Sequence, residues 1–433
     1  MAGRAIEFHF DIVCPFAYLA SRRVEEAAER ANNAQVIWRP TLLGGLYRAT
    51  KAPQGKDGSA TDVMPLNKKL LNAQDLVREA ERQGAPLKWN PKHPVRSLTA
   101  LRLIAGAPEA KRPQVSRALY AAYWEDSLDI HSESVLRDIA ALVGVSYDVA
   151  LSPEARDALQ CNTDLALERG AFGVPSFWVA GRLVYGQDRL VFVEKLLGVA
   201  KPQLLRLVRP PPGAIPPRGT TLEVFHDFAS PWSFIGHTQI ARVARELGVR
   251  LKLRPVLLGA LFRAIGTPNM PMLALSEAKR AYGKQDMEDW VEWWGIKNFS
   301  FPPVFPVRTV LPLRVALVEP AVTDAVYAAC WTGGVDIGDE AELRKVLASG
   351  GFDADTLVKK AAEAEIKAAL RENTELAQTV GACGVPSYRV VLPDGASAML
   401  GGGGSVIWGQ DRLHVVEDCI ASLAVASGHS ARL

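Results

Sequence analysis

Two stretches of this chain set the same kind of residue at the same kind of junction. "IEFHFDIVCPFAYLASRRVEEA" begins at Ile6, and "LEVFHDFASPWSFIGHTQIARVA" begins at Leu222. Each runs from an apolar strand pattern into a Pro-led helix, and one polar residue marks the junction: Cys14 in the first, Ser230 in the second. Ser directly before Pro reads as an N-cap followed by Pro at the first helical position. Its hydroxyl then lies at the positive end of a helix dipole, where a negative charge is favoured. A thiol in that setting is expected to titrate below its free value of about 8.5 and to react as a thiolate. The junctions therefore promise two chemistries, a hydroxyl that stabilises an anion at Ser230 and a reactive sulfur at Cys14.

Further motifs recur in the same order. "WRPTLLGGLYRA" from Trp38 returns as "LRPVLLGALFRA" from Leu253, and "HPVRSLTALRL" from His93 returns as "FPVRTVLPLRV" from Phe305. "NTDLALERGAFGVPSF" from Asn162 recurs as "NTELAQTVGACGVPSY" from Asn373, and "YGQDRL" from Tyr185 recurs as "WGQDRL" from Trp408. The spacing between the copies drifts only slightly, so loop lengths changed while the motifs stayed. "PDGASAMLGGGGS" is one such longer connection, with the Asp-Gly and Gly run of a flexible hairpin. The chain is a tandem duplication.

These motifs must be positioned by a sheet. Each copy opens with a β-rich segment leading into a helix and continues through a long helical stretch such as "ALSEAKRAYGKQDMEDWVEWWGI". It closes with Gly-Val-Pro-Ser, a strand pair and a final helix. Strands at both ends of a helical middle imply one sheet that gathers both ends, an α/β domain with a helical insertion. Between the copies, "RPPPGAIPPRG" reads as an extended polyproline spacer; about ten residues at ~3.1 Å each span some 30 Å. The expected organisation is a first domain over 1–208, a linker over 209–219 and a second domain over 220–433. In class it is α/β, two thioredoxin-like domains each with a helical insertion.

Bulk properties narrow the function. Lys plus Arg (50) nearly balances Asp plus Glu (47), a net charge of +3 that gives no footprint for nucleic acid. No run approaches the ~18 apolar residues of a membrane span, and the N-terminus lacks a secretory apolar region. A soluble intracellular protein is expected, with small ligands or protein partners left open. The five cysteines form no Cys-x-x-Cys pair and the seven histidines no ligand spacing, so neither a disulfide scaffold nor a metal site is expected. The terminal Ala-Arg-Leu is a conservative variant of a peroxisomal address, read as peroxisomal for a eukaryotic source and cytoplasmic otherwise.

Taken together, the motif set resembles the kappa-class glutathione transferases and the 2-hydroxychromene-2-carboxylate isomerases. These belong to the wider family of disulfide oxidoreductases with a helical insert in a thioredoxin fold. The resemblance covers nearly the whole chain, twice, and implies glutathione as the bound thiol cofactor. It implies that Ser230 donates a hydrogen bond to the glutathione sulfur and favours its charged form. It also implies that Pro175 and Pro386 are cis, with Val174 and Val385 pairing their backbones with the cysteinyl unit. Gln187, Asp188, Gln410 and Asp411 stand where the glutamyl end would bind, and Gln-Asp in place of Ser-Asp is closer to the isomerase branch. Lys68 and Lys279 fall where the family directs a Lys towards the glycyl carboxylate. Arg96 and Arg308 replace an Asn common in the family, a change that suits an acidic substrate such as a hydroxychromene carboxylate.

The expected function is a glutathione-dependent transferase or isomerase acting on a small electrophilic or aromatic substrate, with the two domains packed as an intramolecular pseudo-dimer, with or without a further homodimer. The enzyme rival is a thiol–disulfide oxidoreductase or glutathione peroxidase working through Cys14, weakened because residues 14–17 read "CPFA" with no second cysteine. A rival from another class is a silent binding module. The difference between Cys14 and Ser230 leads to the expectation that the first domain does not activate glutathione as the second does. It is expected instead to form a mixed disulfide with glutathione at Cys14, faster than at Cys161, Cys330, Cys383 or Cys419, or else to serve mainly as a partner for the second domain.

Overall fold

A computed structural model describes residues 4–55, 58–202, 215–398 and 403–430. In the first copy, β1 (Ala5–Phe10) is central, parallel to β2 (Gln35–Pro40) and antiparallel to β3 (Ser176–Val179). β4 (Arg182–Tyr185) closes the sheet in the order β2-β1-β3-β4. The helix Pro15–Ser21 starts the crossover between the parallel pair, as a parallel connection requires. β1 is buried because its neighbours stack on it: Phe8 lies 5.0 Å from Phe10 and 5.3 Å from Phe177 between ring centroids. Each such ring contributes about 2 kcal/mol by leaving water.

The second copy repeats the pattern with β5 (Thr221–His226), β6 (Arg250–Pro255), β7 (Ser387–Val391) and β8 (Val406–Trp408), in the order β6-β5-β7-β8. Its core joins Leu222 and Val224 of β5 to Ile240 and Val243 of the crossover helix and Tyr388 and Val390 of β7. In both copies the helices between the second and third strands form the expected insertion. The α/β expectation of two thioredoxin-like domains holds.

Neither compact unit is one stretch of chain. The first comprises 1–64, 76–204 and 272–284, and the second 65–75, 205–271 and 285–433. The insertion helix Leu66–Arg82 therefore gives its first turns to the second unit, and the helix Glu277–Trp293 gives its first turns to the first. Strand order and repeats carry no sign of that exchange. Most of the proline-rich linker, the tip of the Gly-rich hairpin and the terminal Ala-Arg-Leu lie outside the described residues. Among the described residues, no helix is long and apolar enough to cross a membrane.

Candidate functional site

Ser230 caps the helix Pro231–Glu246: it has extended backbone angles, and its Oγ accepts from the Ser233 amide at 3.1 Å. The same Oγ donates to the Val385 carbonyl at 3.3 Å, and the Val385–Pro386 bond is cis. The turn before Ser230 is held from several sides. Asp227 accepts from the amides of Ala229 at 3.0 Å and Leu258 at 2.8 Å. Trp331 Nε1 donates to the Phe228 carbonyl at 2.8 Å. The hydroxyl is thus fixed against a backbone edge and needs little reorganisation to meet a ligand.

Cys14 occupies the equivalent place with different chemistry. Its Sγ donates to the Val174 carbonyl at 3.2 Å, beside the cis Val174–Pro175 bond, but it makes no cap. Its helix, Pro15–Ser21, runs only seven residues. Burial pushes the thiol up to about 12, and the nearby charge of Asp11 adds to the rise; the nearby amides of Ala17 and Phe16 oppose it without prevailing. This corrects the expectation of a depressed thiol. A short helix and two amides cannot repay the desolvation of a buried thiolate.

Asp11 and Asp227 are buried beneath the two junctions. Asp11 accepts from the amides of Leu43 at 3.0 Å and Val13 at 3.2 Å. Burial nonetheless raises its carboxyl from 3.8 to about 6, and Asp227 is raised for the same reason. An acid with a higher pKa folded than unfolded holds its proton longer in the native state. Stability then falls as pH rises from about 4 to about 6 and levels off above. For Asp11 alone the fall is about 3 kcal/mol. Asp11→Asn is expected to remove that part of the slope while keeping an acceptor for the amides. Urea midpoints measured between pH 4 and 7 test this, and an unchanged slope would refute it.

At the other end of each site, Gly186 and Gly409 both take a φ of 107°, in the region open to glycine. A Cβ at either would strike the carboxylate of Asp188 or Asp411. Those carboxylates pair with their neighbours, Asp188 with Arg189 at 2.7 Å and Asp411 with Arg412 at 2.9 Å. The Gln side chains turn inward. Gln187 accepts from Gln83 at 2.9 Å, and Gln410 accepts from Trp294 Nε1 at 3.3 Å. They brace the turn, leaving the Asp residues nearer the surface.

The two lysines change sites. Lys68 belongs to the second unit, its Nζ 5.8 Å from the Trp408 ring centroid, while Lys279 belongs to the first, 5.8 Å from the Phe172 ring. Lys68 thus joins Ser230, Val385, Pro386 and Asp411, and Lys279 joins Cys14, Val174, Pro175 and Asp188. Arg96 and Arg308 are exposed, each directly before a residue that hydrogen-bonds the buried Asp: Ser97 to Asp11 and Thr309 to Asp227.

Reading the motifs alone passed over three site features. Asp11 and Asp227 stand three residues before each junction residue, a visible signal in "DIVC" and "DFAS". The rings of Tyr185 and Trp408 lie across Gly173 and Gly384, with Tyr185 Cε2 3.2 Å and Trp408 Nε1 2.9 Å from where a Cβ would sit. Tyr388 brings a buried hydroxyl close against Gly236, where the first copy has the pair Phe177 and Ala20.

Comparison with known proteins places these sites in context. A family model described as a DSBA-like thioredoxin domain matches residues 5–198 and again 221–421. A 2-hydroxychromene-2-carboxylate isomerase of Sphingobium xenophagum is 28% identical over 199 residues, 45% of this chain and 98% of the relative. Glutathione S-transferase kappa 2 of Caenorhabditis elegans is 25% identical over 219 residues, 47% of this chain and 93% of the relative. A solved selenomethionine 2-hydroxychromene-2-carboxylate isomerase matches 45% of this chain and 94% of its own, at 24% identity and a TM-score of 0.38. Each match takes about half of the chain, the share of one copy.

Proposed function

Because this chain belongs to the DSBA-like thioredoxin-domain family in both of its halves, we propose that it binds glutathione and that its second domain holds the sulfur as a thiolate beside Ser230 for addition to a small electrophilic, aromatic substrate. One arrangement carries this reading: the Ser230 hydroxyl, itself a helix cap, faces the Val385 carbonyl at 3.3 Å next to a cis Val-Pro bond. The backbone of Val385 offers a strand-like edge to the cysteinyl unit. Ser230 then exchanges its bond to Val385 for one to the sulfur, and the thiol proton leaves to solvent. Asp411 suits the glutamyl ammonium, Lys68 the glycyl carboxylate and exposed Arg308 an acidic substrate.

Two reactions use that thiolate. In isomerisation it adds to a conjugated ring carbon, the ring opens, a bond rotates and the thiol is eliminated, so glutathione is regenerated. In transfer the adduct is the product. The names of the relatives, isomerase and kappa transferase, favour this pair over disulfide exchange. The buried, protonated Cys14 and the absence of a partner cysteine in "CPFA" weigh against the rival further. We also read the two copies as a self-sufficient pair, since each unit includes a segment from the other half.

Calorimetric titration with glutathione, with light scattering on the same sample, tests both statements. Saturable binding by a particle of single-chain mass is expected, followed by conjugation or isomerisation and no disulfide reduction in parallel assays. Absence of binding would overturn the reading, and a particle of only two-chain mass would overturn the self-sufficient pair.

A further inference from the structure

The first domain lacks a capping hydroxyl at Cys14, yet near that junction it carries two phenols at positions where the second domain has none. Tyr47, on the helix Leu43–Thr50, has Phe262 as its counterpart, and Tyr185, at the end of β4, has Trp408. The Tyr185 hydroxyl lies 3.5 Å from where a Cβ of Gly173 would be. The next residue, Val174, accepts from Cys14 Sγ at 3.2 Å. The phenol is therefore aimed over the Gly-Val-Pro turn that bounds the junction.

Its position is fixed from behind. The ring packs on Phe172 at 4.5 Å between centroids. Tyr282 Oη accepts from the Tyr185 amide at 2.9 Å and donates to its carbonyl at 3.3 Å. Tyr47 stands on the helix whose Leu43 amide donates to Asp11 at 3.0 Å, three residues before Cys14, and a charge on Cys14 is felt at both phenols. Neither phenol has a hydrogen-bond partner among the described residues, and both keep part of their surface open. Burial holds both above the usual phenol range, so they are O–H donors throughout the neutral region.

We propose that Tyr47 and Tyr185 are the thiol-activating pair of the first domain, donating to the sulfur of a glutathione bound beside Cys14 as Ser230 does in the second. The proposal rests on the reading that these domains bind glutathione. The bound thiol gives its proton to solvent and the thiolate accepts from the phenols. Cys14 stays protonated, so no second negative charge opposes the bound one. Two donors to one anion give charge-assisted hydrogen bonds of the stronger class.

The test uses the full-length Ser230→Ala protein, calorimetry for glutathione stoichiometry and thiolate ultraviolet absorbance across pH. Two equivalents bound per chain are expected, with one thiolate signal remaining. Adding Tyr47→Phe or Tyr185→Phe, each of which keeps its ring, should raise the apparent pKa of that signal by about one unit, a tenfold loss of thiolate below the midpoint. If Ser230→Ala binds glutathione but forms no thiolate, or if both Phe variants leave its pKa unmoved, the pair does not activate the thiol. In either case the second-domain reading stands. If the wild-type protein binds no glutathione, both readings fall.

Discussion

Ser230→Ala protein is expected to bind glutathione within several-fold of wild type but to fail to hold it as thiolate in the second domain. The hydroxyl contributes one hydrogen bond to a charged sulfur, worth roughly 1.5–3 kcal/mol. That is an upward shift of about one to two units in the apparent thiol pKa, or roughly a 10- to 150-fold loss of thiolate below the midpoint. On the proposed binding mode affinity changes less, because the pairing of the cysteinyl backbone with Val385 and the charged partners of the two termini do not involve the hydroxyl. The same substitution removes the cap that accepts from Ser233 at 3.1 Å and costs about 1 kcal/mol of stability. Stability and thiolate formation are separate readouts. Thiolate absorbance against pH, normalised to bound glutathione, measures the second-domain share of the signal. If that share titrates unchanged, Ser230 is only a helix cap.

The features that sequence made legible are those with local causes. Ser-Pro fixes a cap and a first turn, and Gly before Gln-Asp fixes a left-handed backbone at a φ of 107° in both copies. Both can be read within a few residues. The paired sheets followed from motifs repeating in order, because one copy had to fold like the other. What escaped depends on distant chain. The Cys14 thiol is set by burial under Val174, 160 residues away, and by Asp11, itself held by the Leu43 amide. Lys68 and Lys279 fall where the resemblance implies a Lys, yet nothing in linear order says which half's site receives the first turns of an insertion helix. Tyr47 and Tyr185 lie within repeated motifs, and an aromatic residue shows its hydroxyl only once its ring has been placed.

The same distinction decides what oxidised glutathione does to the chain. Cys14 is expected to remain unmodified at neutral pH, against the simple reading of a cysteine at a helix start. Disulfide exchange proceeds through thiolate, and the Cys14 thiol is pushed up to about 12, against about 8.5 for a free one. At pH 7 that difference lowers its thiolate fraction by about three orders of magnitude. Access adds to the penalty, because Sγ is buried and donates to Val174 at 3.2 Å. Cys330 and Cys383 are buried and pushed up to about 12 as well, even though the Lys68 charge opposes the rise at Cys383. Cys161 is exposed on the helix Pro153–Glu168 and is expected to take the first adduct. Intact mass followed by peptide mapping over a time course reads the order directly. A glutathionyl adduct on Cys14 forming as fast as that on Cys161 would mean that the junction opens and carries a thiolate. The first domain would then be a disulfide-exchange site, and its two phenols would be donors to the protein's own sulfur.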